Sequence, residues 1–407
     1  MIAIREGIAM RPDENGAVLY EAATGKVLEC NRAAWEVLRL LDGSRSVERI
    51  AAETGASAEK ISEMAELLKE AGAAEESASQ RKLDIRENAM TPPLRTVTIE
   101  ITKTCNLKCA FCYADAGEQL SWKLEEVAAL AKDLRNNGVL KVIITGGEPT
   151  MHPQLVEIIG VMRAQGLGVE LLSNGTRITP ELARKLKGTD ITKIRISLDG
   201  AKAETHDAIR GMKGAWEKTI QGIRNCKAAG IYTEVNMVVC NRNIGEITDV
   251  YDLCQQLGVD RFYSEAMVLL GRGKRCGLEI TPAQYNEANA KLLKKANIQI
   301  AVHEGLKETS CGVGFLNAAV NVRGQLIPCP LLQELQAGDV KKNGIKARWE
   351  GSDVMKGLRA STWKNIEKCS ACEHKLVCRS GCKARVFGMT GKLDESDSVN
   401  CALYRGE

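Results

Sequence analysis

The chain has 407 residues, with 56 Lys+Arg against 52 Asp+Glu and a formal net charge of +4. That balance excludes the large basic field of a nucleic-acid binder, and with no run of about 18 apolar residues there is no membrane span to expect. Fifteen cysteines in a chain that opens on Met1-Ile2-Ala3-Ile4-Arg5-Glu6, without a signal-peptide pattern, point to a cytoplasmic protein that uses thiols for metal or redox chemistry rather than a disulfide scaffold.

Residues 1–75 read as a small unit of their own. Alternation at 17–20 and 26–29 about Thr24-Gly25 predicts a β-hairpin. Asn31, Ser46 and Ser57 stand where side chains cap helices, each ahead of apolar residues at helical spacing. A hairpin with three short helices is a winged-helix-like pattern. Its DNA-binding reading is opposed by Glu59, Glu63, Glu66 and Glu70 on the last helix, which would repel phosphates. Residues 76–93 are polar, end on Pro92-Pro93 and read as a linker.

Over residues 94–300 strand and helix patterns alternate. Strands are predicted at 96–102, 141–145, 169–172, 193–198, 233–239 and 261–267. Helices are predicted at 124–134, 155–165, 180–186, 216–229 and 247–257, with a closing helix at 282–296. Six such units predict an α/β fold with a parallel sheet, open or curled into a partial (β/α)6 TIM-like barrel. Residues 301–407 are rich in Cys and Gly and poor in long periodic segments, a composition that usually needs metal staples.

The first strand runs directly into Thr104-Cys105-Asn106-Leu107-Lys108-Cys109-Ala110-Phe111-Cys112-Tyr113, a Cys-x3-Cys-x2-Cys spacing. Soft thiolates select zinc or iron–sulfur clusters. Structural zinc wants a fourth ligand, and none lies close in sequence. Three cysteines on a four-iron cluster leave one iron open for a small molecule. The loop also stands at the C-terminal end of a strand, where βα barrels keep their active sites.

With Phe111 before its last Cys, this triplet resembles the signature of radical S-adenosylmethionine enzymes. Thr145-Gly146-Gly147-Glu148-Pro149 ends the second strand, and in that family such a motif receives the amino group of the cofactor. The glycines would let backbone approach the ligand and Glu148 would accept from its ammonium. The resemblance carries Ser197, Asn174 and Asp199 over to the ribose, and Arg210 to the methionyl carboxylate. Asn236 and Leu270-Gly271-Arg272-Gly273 resemble positions lining the adenosine pocket. For His206 the plainer reading is a structural histidine, and for Arg210 the competing one is a surface helix charge.

The C-terminal cysteines follow Cys311-x12-Gly324-x4-Cys329, then Cys369-x2-Cys372-x5-Cys378-x3-Cys382, then Cys401. This resembles the SPASM extension of sulfatase-maturating and peptide-modifying radical enzymes, which holds two auxiliary clusters. By position, Cys311, Cys329 and Cys382 serve the first and Cys369, Cys372, Cys378 and Cys401 the second. A zinc ribbon at Cys369, Cys372, Cys378 and Cys382 is the structural alternative. The first set lacks a fourth Cys in 303–308, so another group ligates or one iron is open to a substrate thiolate. Cys276, flanked by cations, is a candidate for that place. Cys30, Cys226, Cys240 and Cys254 read as small buried hydrophobes.

Residues 1–75 also resemble the peptide-recognition element fused to enzymes that modify ribosomally made peptides. Strand 26–29 or its partner would accept a leader peptide by β-augmentation. Together these resemblances imply S-adenosylmethionine and three 4Fe–4S clusters, one radical-generating and two auxiliary. They imply a leader-bearing precursor peptide and an electron donor such as flavodoxin or ferredoxin, with no nucleic acid and no membrane partner. The implied reaction cleaves the cofactor to a 5′-deoxyadenosyl radical that takes hydrogen from a peptide carbon. An intrapeptide crosslink follows, a Cys thioether ahead of a carbon–carbon bond. Epimerisation, formylglycine formation and a non-catalytic metal scaffold are the alternatives.

Overall fold

A computed structural model describes residues 1–13, 15–87, 90–296 and 309–405. The N-terminal unit contains β1 (Ile2–Ile4), β2 (Ile8–Asp13), β3 (Gly16–Glu21) and β4 (Val27–Asn31), followed by α1 (Arg32–Leu38), α2 (Val47–Thr54) and α3 (Ala58–Glu70). The expected hairpin is β3–β4, and β1 and β2 are additional to it. Asn31, Ser46 and Ser57 cap the three helices, accepting from the N–H of Ala34, Arg49 and Lys60 at 2.9, 3.3 and 3.3 Å. The helices close over one sheet face around Met10, Leu19, Leu38, Leu41, Ile50 and Ile61.

Strand pairing runs from the end of the N-terminal unit into the stretch read as a linker. β5 (Ala74–Glu76) pairs antiparallel with β1, and β6 (Asp84–Ile85) pairs parallel with β2. The sheet order is β4-β3-β2-β6, which leaves β4 on an edge. Composition hid this because two-residue pairings need no apolar period.

Six parallel strands follow: β7 (Thr96–Thr102), β8 (Lys141–Gly146), β9 (Gly168–Ser173), β10 (Lys193–Ser197), β11 (Thr233–Val239) and β12 (Arg261–Ala266). Each pairs with its sequence neighbour. Between them lie α4 (Leu124–Asn136), α5 (Leu155–Ala164), α6 (Pro180–Gly188), α7 (Ala203–Arg210), α8 (Ala215–Ala228) and α9 (Ile247–Gln256), and α10 (Pro282–Ala296) follows β12. β12 does not pair back to β7, so the barrel is partial.

The strands alternate because only one face meets the helices. Val142, Ile144, Ile194, Ile196, Val235 and Met237 lie on that face in the main core. The other face carries an ion ladder across four strands. Lys141 meets Glu170 at 2.9 Å, Lys193 meets Glu170 and Glu234 at 3.5 and 3.0 Å, and Arg195 meets Glu234 at 2.8 Å.

The C-terminal part extends the same sheet. β13 (Asn317–Val320) lies parallel beside β7, with β14 (Gln325–Ile327) and β15 (Gly338–Asp339) antiparallel beyond it. Then come α11 (Val340–Gly351), α12 (Asp353–Ala360), α13 (Glu367–Ser370), α14 (Lys375–Cys378), α15 (Lys383–Thr390) and α16 (Ser398–Arg405). Val320, Leu326, Ile345, Trp349 and Met355 join the barrel core. This part therefore shares a core with the barrel, more than its composition led one to expect. Among the described residues no helix is long and apolar enough to cross a membrane.

The N-terminal unit sits on the end of the barrel where the strands begin. The buried Arg11 donates from Nη1 to the carbonyls of Leu94, just before β7, and Gly138, in the turn before β8, at 2.9 and 3.0 Å. Arg86 donates to Val139 and Gly166 at 3.1 and 2.7 Å. Gly138 and Gly166 follow the C-termini of α4 and α5, where a cation is favoured. Tyr20 lies so close to Gly168 that a Cβ there would fall 1.9 Å from its hydroxyl.

Candidate active site and iron–sulfur centres

The Cys105–Cys112 loop is pinned at the C-terminal end of β7. Lys108 and Ala110 donate their N–H groups to the carbonyls of Arg210 and Ile209, at 3.2 and 2.9 Å. Cys105, Cys109 and Cys112 pack in one group with Leu107, Met212 and Ala215. Each sulfur has a donor beside it: the Leu107 N–H at 3.4 Å from Cys105, Arg210 Nη1 at 3.6 Å from Cys109, and the Arg272 guanidinium beside Cys112. Burial pushes the Cys105 thiol up to about 11 and raises Cys109 as well, so loading a metal requires proton release. Three thiols with three donors fit a cluster held by three thiolates.

Four glycines from three segments press on this loop. An added Cβ would lie 2.3 Å from the Thr102 carbonyl at Gly146, 2.4 Å from that of Thr104 at Gly147, 2.5 Å from that of Lys108 at Gly211, and 2.4 Å from that of Tyr113 at Gly271. Gly146, Gly147 and Gly271 thus pack directly on the backbone of β7 and the cysteine loop.

Glu148 is buried and ties the ends of β8 and β9. Its Oε1 accepts from the Thr150 N–H and hydroxyl at 3.1 and 2.6 Å and from Ser173 Oγ at 2.7 Å, and its Oε2 accepts from the Asn174 N–H at 2.7 Å. Asn174 Nδ2 in turn donates to Asn106 Oδ1 at 3.0 Å, reaching the cysteine loop.

Arg210 is no surface charge. It is 8% exposed, with its Nε 2.6 Å from Asp199 Oδ2 and its guanidinium 5.7 Å from the Phe111 ring centre. Burial would lower its pKa, but the charges on Asp199 and Cys109 outweigh that and keep it protonated. Asp199 and Arg210 thus face each other here, where the resemblance assigns them to opposite ends of a ligand. His206 is buried, and its Nδ1 accepts the Asp199 N–H at 3.1 Å. Burial and the Arg210 charge pull its pKa down to about 3, which fits the structural reading.

Ser197 and Asn236 are register partners on β10 and β11. Asn236 Oδ1 is buried with no hydrogen-bond partner. An orphaned acceptor midway along β11, beside the last residue of β10, fits a ligand bearing hydroxyl or amino donors, as S-adenosylmethionine does.

The auxiliary cysteines fall into two groups. Cys382 lies beside Cys311 and Cys329; burial raises all three thiols, and the neighbouring Cys382 raises the other two further. Cys369, Cys372, Cys378 and Cys401 line one pocket of about 320 Å³ together with His374, Lys375 and Asn400. Residues 303–308 lie outside the described residues. Cys276 Sγ sits 3.9 Å from Met267 Sδ, packed against an apolar cluster with Phe111 and Cys240. Cys226, Cys240 and Cys254 are buried and Cys30 is half-buried.

Sequence reasoning missed Tyr113 and Glu100. Tyr113 is half-buried, near Cys112 and Cys329 and beside Glu100 and Thr145. Burial pushes Glu100 up to about 7, and its carboxylate accepts from Gln333 Nε2. The position of Tyr113, directly after the third Cys, was the available signal.

Residues 99–254 match the Radical SAM superfamily model, and residues 311–373 match that of the SPASM iron–sulfur cluster-binding domain. The AdoMet-dependent heme synthase of Methanosarcina barkeri is 33% identical over 78% of this chain and 98% of that protein. The chain belongs to the radical S-adenosylmethionine superfamily. This superfamily member is also 28% identical to the mycofactocin maturase MftC of Mycobacterium tuberculosis, over 78% of this chain and 85% of that one. Its fold is similar to that of Streptococcus suis SuiB, solved bound to the precursor peptide SuiA, with a TM-score of 0.74 and 16% identity. That match covers 98% of this chain and 99% of SuiB. Membership brings S-adenosylmethionine and 4Fe–4S clusters as the cofactors of this radical enzyme.

Proposed function

We propose that this enzyme is a peptide maturase that docks a leader-bearing precursor and installs an intrapeptide crosslink, a Cys thioether ahead of a carbon–carbon bond. The observation that carries this is the N-terminal unit. Its edge strand β4 pairs only with β3 among the described residues and alternates between exposed and half-buried positions. Such an edge can accept an extended peptide. Beside it, Lys26 reaches the carbonyl of Ala71 at the end of α3, whose exposed face carries the four glutamates. The SuiB likeness spans nearly the whole chain, and the MftC relative bears a maturase name.

Cys105, Cys109 and Cys112 would hold the radical-generating cluster, and the bound cofactor supplies a hydrogen-abstracting adenosyl radical. Phe111, Gly146, Gly147, Glu148, Asn174, Ser197, Asp199 and Arg210 form the cofactor site in this reading. Glu148 keeps the ends of β8 and β9 in register, and Asn174 links them to the cysteine loop. Asp199 and His206 hold Arg210 against Cys109, and Phe111 shields it from water. Cys311, Cys329 and Cys382 serve one auxiliary cluster, and Cys369, Cys372, Cys378 and Cys401 the other. Forming a thioether removes a hydrogen atom from carbon, a proton from sulfur and one electron. A flavodoxin- or ferredoxin-like donor supplies the priming electron.

The heme synthase relatives favour a second reading, chemistry on an iron porphyrin. They match about four-fifths of this chain or less. Anaerobic reconstitution with candidate precursor peptides, sought among short reading frames near the gene, separates the two. Maturation gives a peptide lighter by two hydrogens, whereas porphyrin chemistry leaves it unchanged.

A further inference from the structure

One buried network outside the cofactor site joins the two groups of auxiliary cysteines. Asp397 has a fully buried side chain. Its carboxylate accepts the N–H of Cys382 at 2.8 Å, the N–H of Val399 at 3.1 Å, and a fork from Arg385, with Nε at 2.9 Å and Nη2 at 2.7 Å. Its carbonyl accepts the Cys401 N–H at 2.8 Å. Gly381 is required beside it, because a Cβ there would lie 2.4 Å from Asp397 Oδ2. Arg385 Nη2 also donates to Asn400 Oδ1 at 3.1 Å, and Asn400 Nδ2 donates to Cys378 Sγ at 3.7 Å. An unbroken path therefore runs from Cys378 through Asn400, Arg385 and Asp397 to the backbone of Cys382.

The orientation of Asn400 follows from this path. Arg385 has only donors, so it holds the Asn400 oxygen and turns the amide nitrogen toward the sulfur. A donor to a ligating thiolate withdraws charge from it and favours the reduced cluster, raising its potential. We propose that Asn400 is a positioning residue that sets the reduction potential of the cluster held by Cys369, Cys372, Cys378 and Cys401, with Arg385 and Asp397 fixing its rotamer. The inference rests on the ligand assignment above.

The test is a spectroelectrochemical titration of the fully reconstituted chain, with iron content determined alongside. Asn400→Leu removes the donor, and Asn400→Asp keeps the shape and the Arg385 contact while placing an acceptor against the sulfur. Both are expected to move one potential to more negative values and leave the other two unchanged. Asn400→Gln restores part of the shift. Arg385→Met, which frees the amide, moves the same potential in the same direction. Unchanged potentials in either Asn400 variant that keeps its second auxiliary cluster, an equal shift of all clusters, or loss of that cluster from both variants overturns the proposal. A wild-type chain without a second auxiliary cluster overturns the ligand assignment itself, and the wild-type iron count shows that separately.

Discussion

At the scale of single residues, the site is a set of buried polar groups that stabilise one another. Removing any of Cys105, Cys109 or Cys112 by alanine should abolish S-adenosylmethionine cleavage and lower the iron content by one cluster, read by iron assay and by 5′-deoxyadenosine release. Asp199→Asn leaves the Arg210 guanidinium buried without its counter-ion. That loss should cost about 3–5 kcal/mol, read as a lower urea midpoint. His206 gives a pH signature. Its pKa is about 3 folded against 6.5 free, so the unfolded chain binds the proton first. Its stabilising contribution is complete above about 6.5, declines as the pH falls and is gone below about 3. His206→Asn keeps an acceptor for the Asp199 N–H, and its unfolding midpoint should fall less steeply with acid than that of the wild type. The cysteines were legible because a ligand must be a particular atom at a particular spacing. The Arg210–Asp199 pairing was not, because their meeting depends on how α7 packs against β10.

At the scale of elements, the six barrel strands were legible within about a residue or two, since helices cover one face and, on four of the strands, the ion ladder marks the other. β1 and β2 were not: β1 has only three residues, and β2 reads Ile8-Ala9-Met10-Arg11-Pro12-Asp13, with no alternation and a proline. The short helices of the C-terminal part were not legible either. Their positions depend on contacts with the barrel core and on the cysteine groups, and no periodicity marks them. The glycines at the strand ends were seen, but their packing on the cysteine loop was not. Gly147 has no left-handed backbone, so Gly147→Ala tests the contact alone. The new Cβ must displace the Thr104 carbonyl. This should destabilise the chain by about 1–3 kcal/mol and reduce iron at the first cluster more than at the auxiliary ones, as resolved by EPR.

At the scale of the whole molecule, the docking edge and the cysteine loop lie at opposite ends of one strand. Glu29 on β4 accepts from Arg95 Nη1 at 2.5 Å, just before β7 begins, whereas Cys105 follows its last residue. A seven-residue strand spans about 23 Å, and a peptide must also pass around the barrel wall. The precursor therefore needs a spacer of about ten or more extended residues between its docking segment and the modified site. Shortening that spacer should abolish modification while leaving binding intact, as read by titration calorimetry beside mass spectrometry. The interface that fixes this geometry depends on Arg11. Arg11→Ala strands the carbonyls of Leu94 and Gly138 and should lower stability by about 1–3 kcal/mol for each.

The central claim is that a radical S-adenosylmethionine chemistry is aimed at a docked peptide. The most direct measurement is mass spectrometry of a candidate precursor peptide, sought among short reading frames near the gene, after anaerobic incubation with reconstituted enzyme, reductant and S-adenosylmethionine. The account predicts a product lighter by two hydrogens, with the loss placed on a Cys and a second residue of the same peptide. An unmodified peptide, alongside turnover of an iron porphyrin by the same preparation, would contradict it.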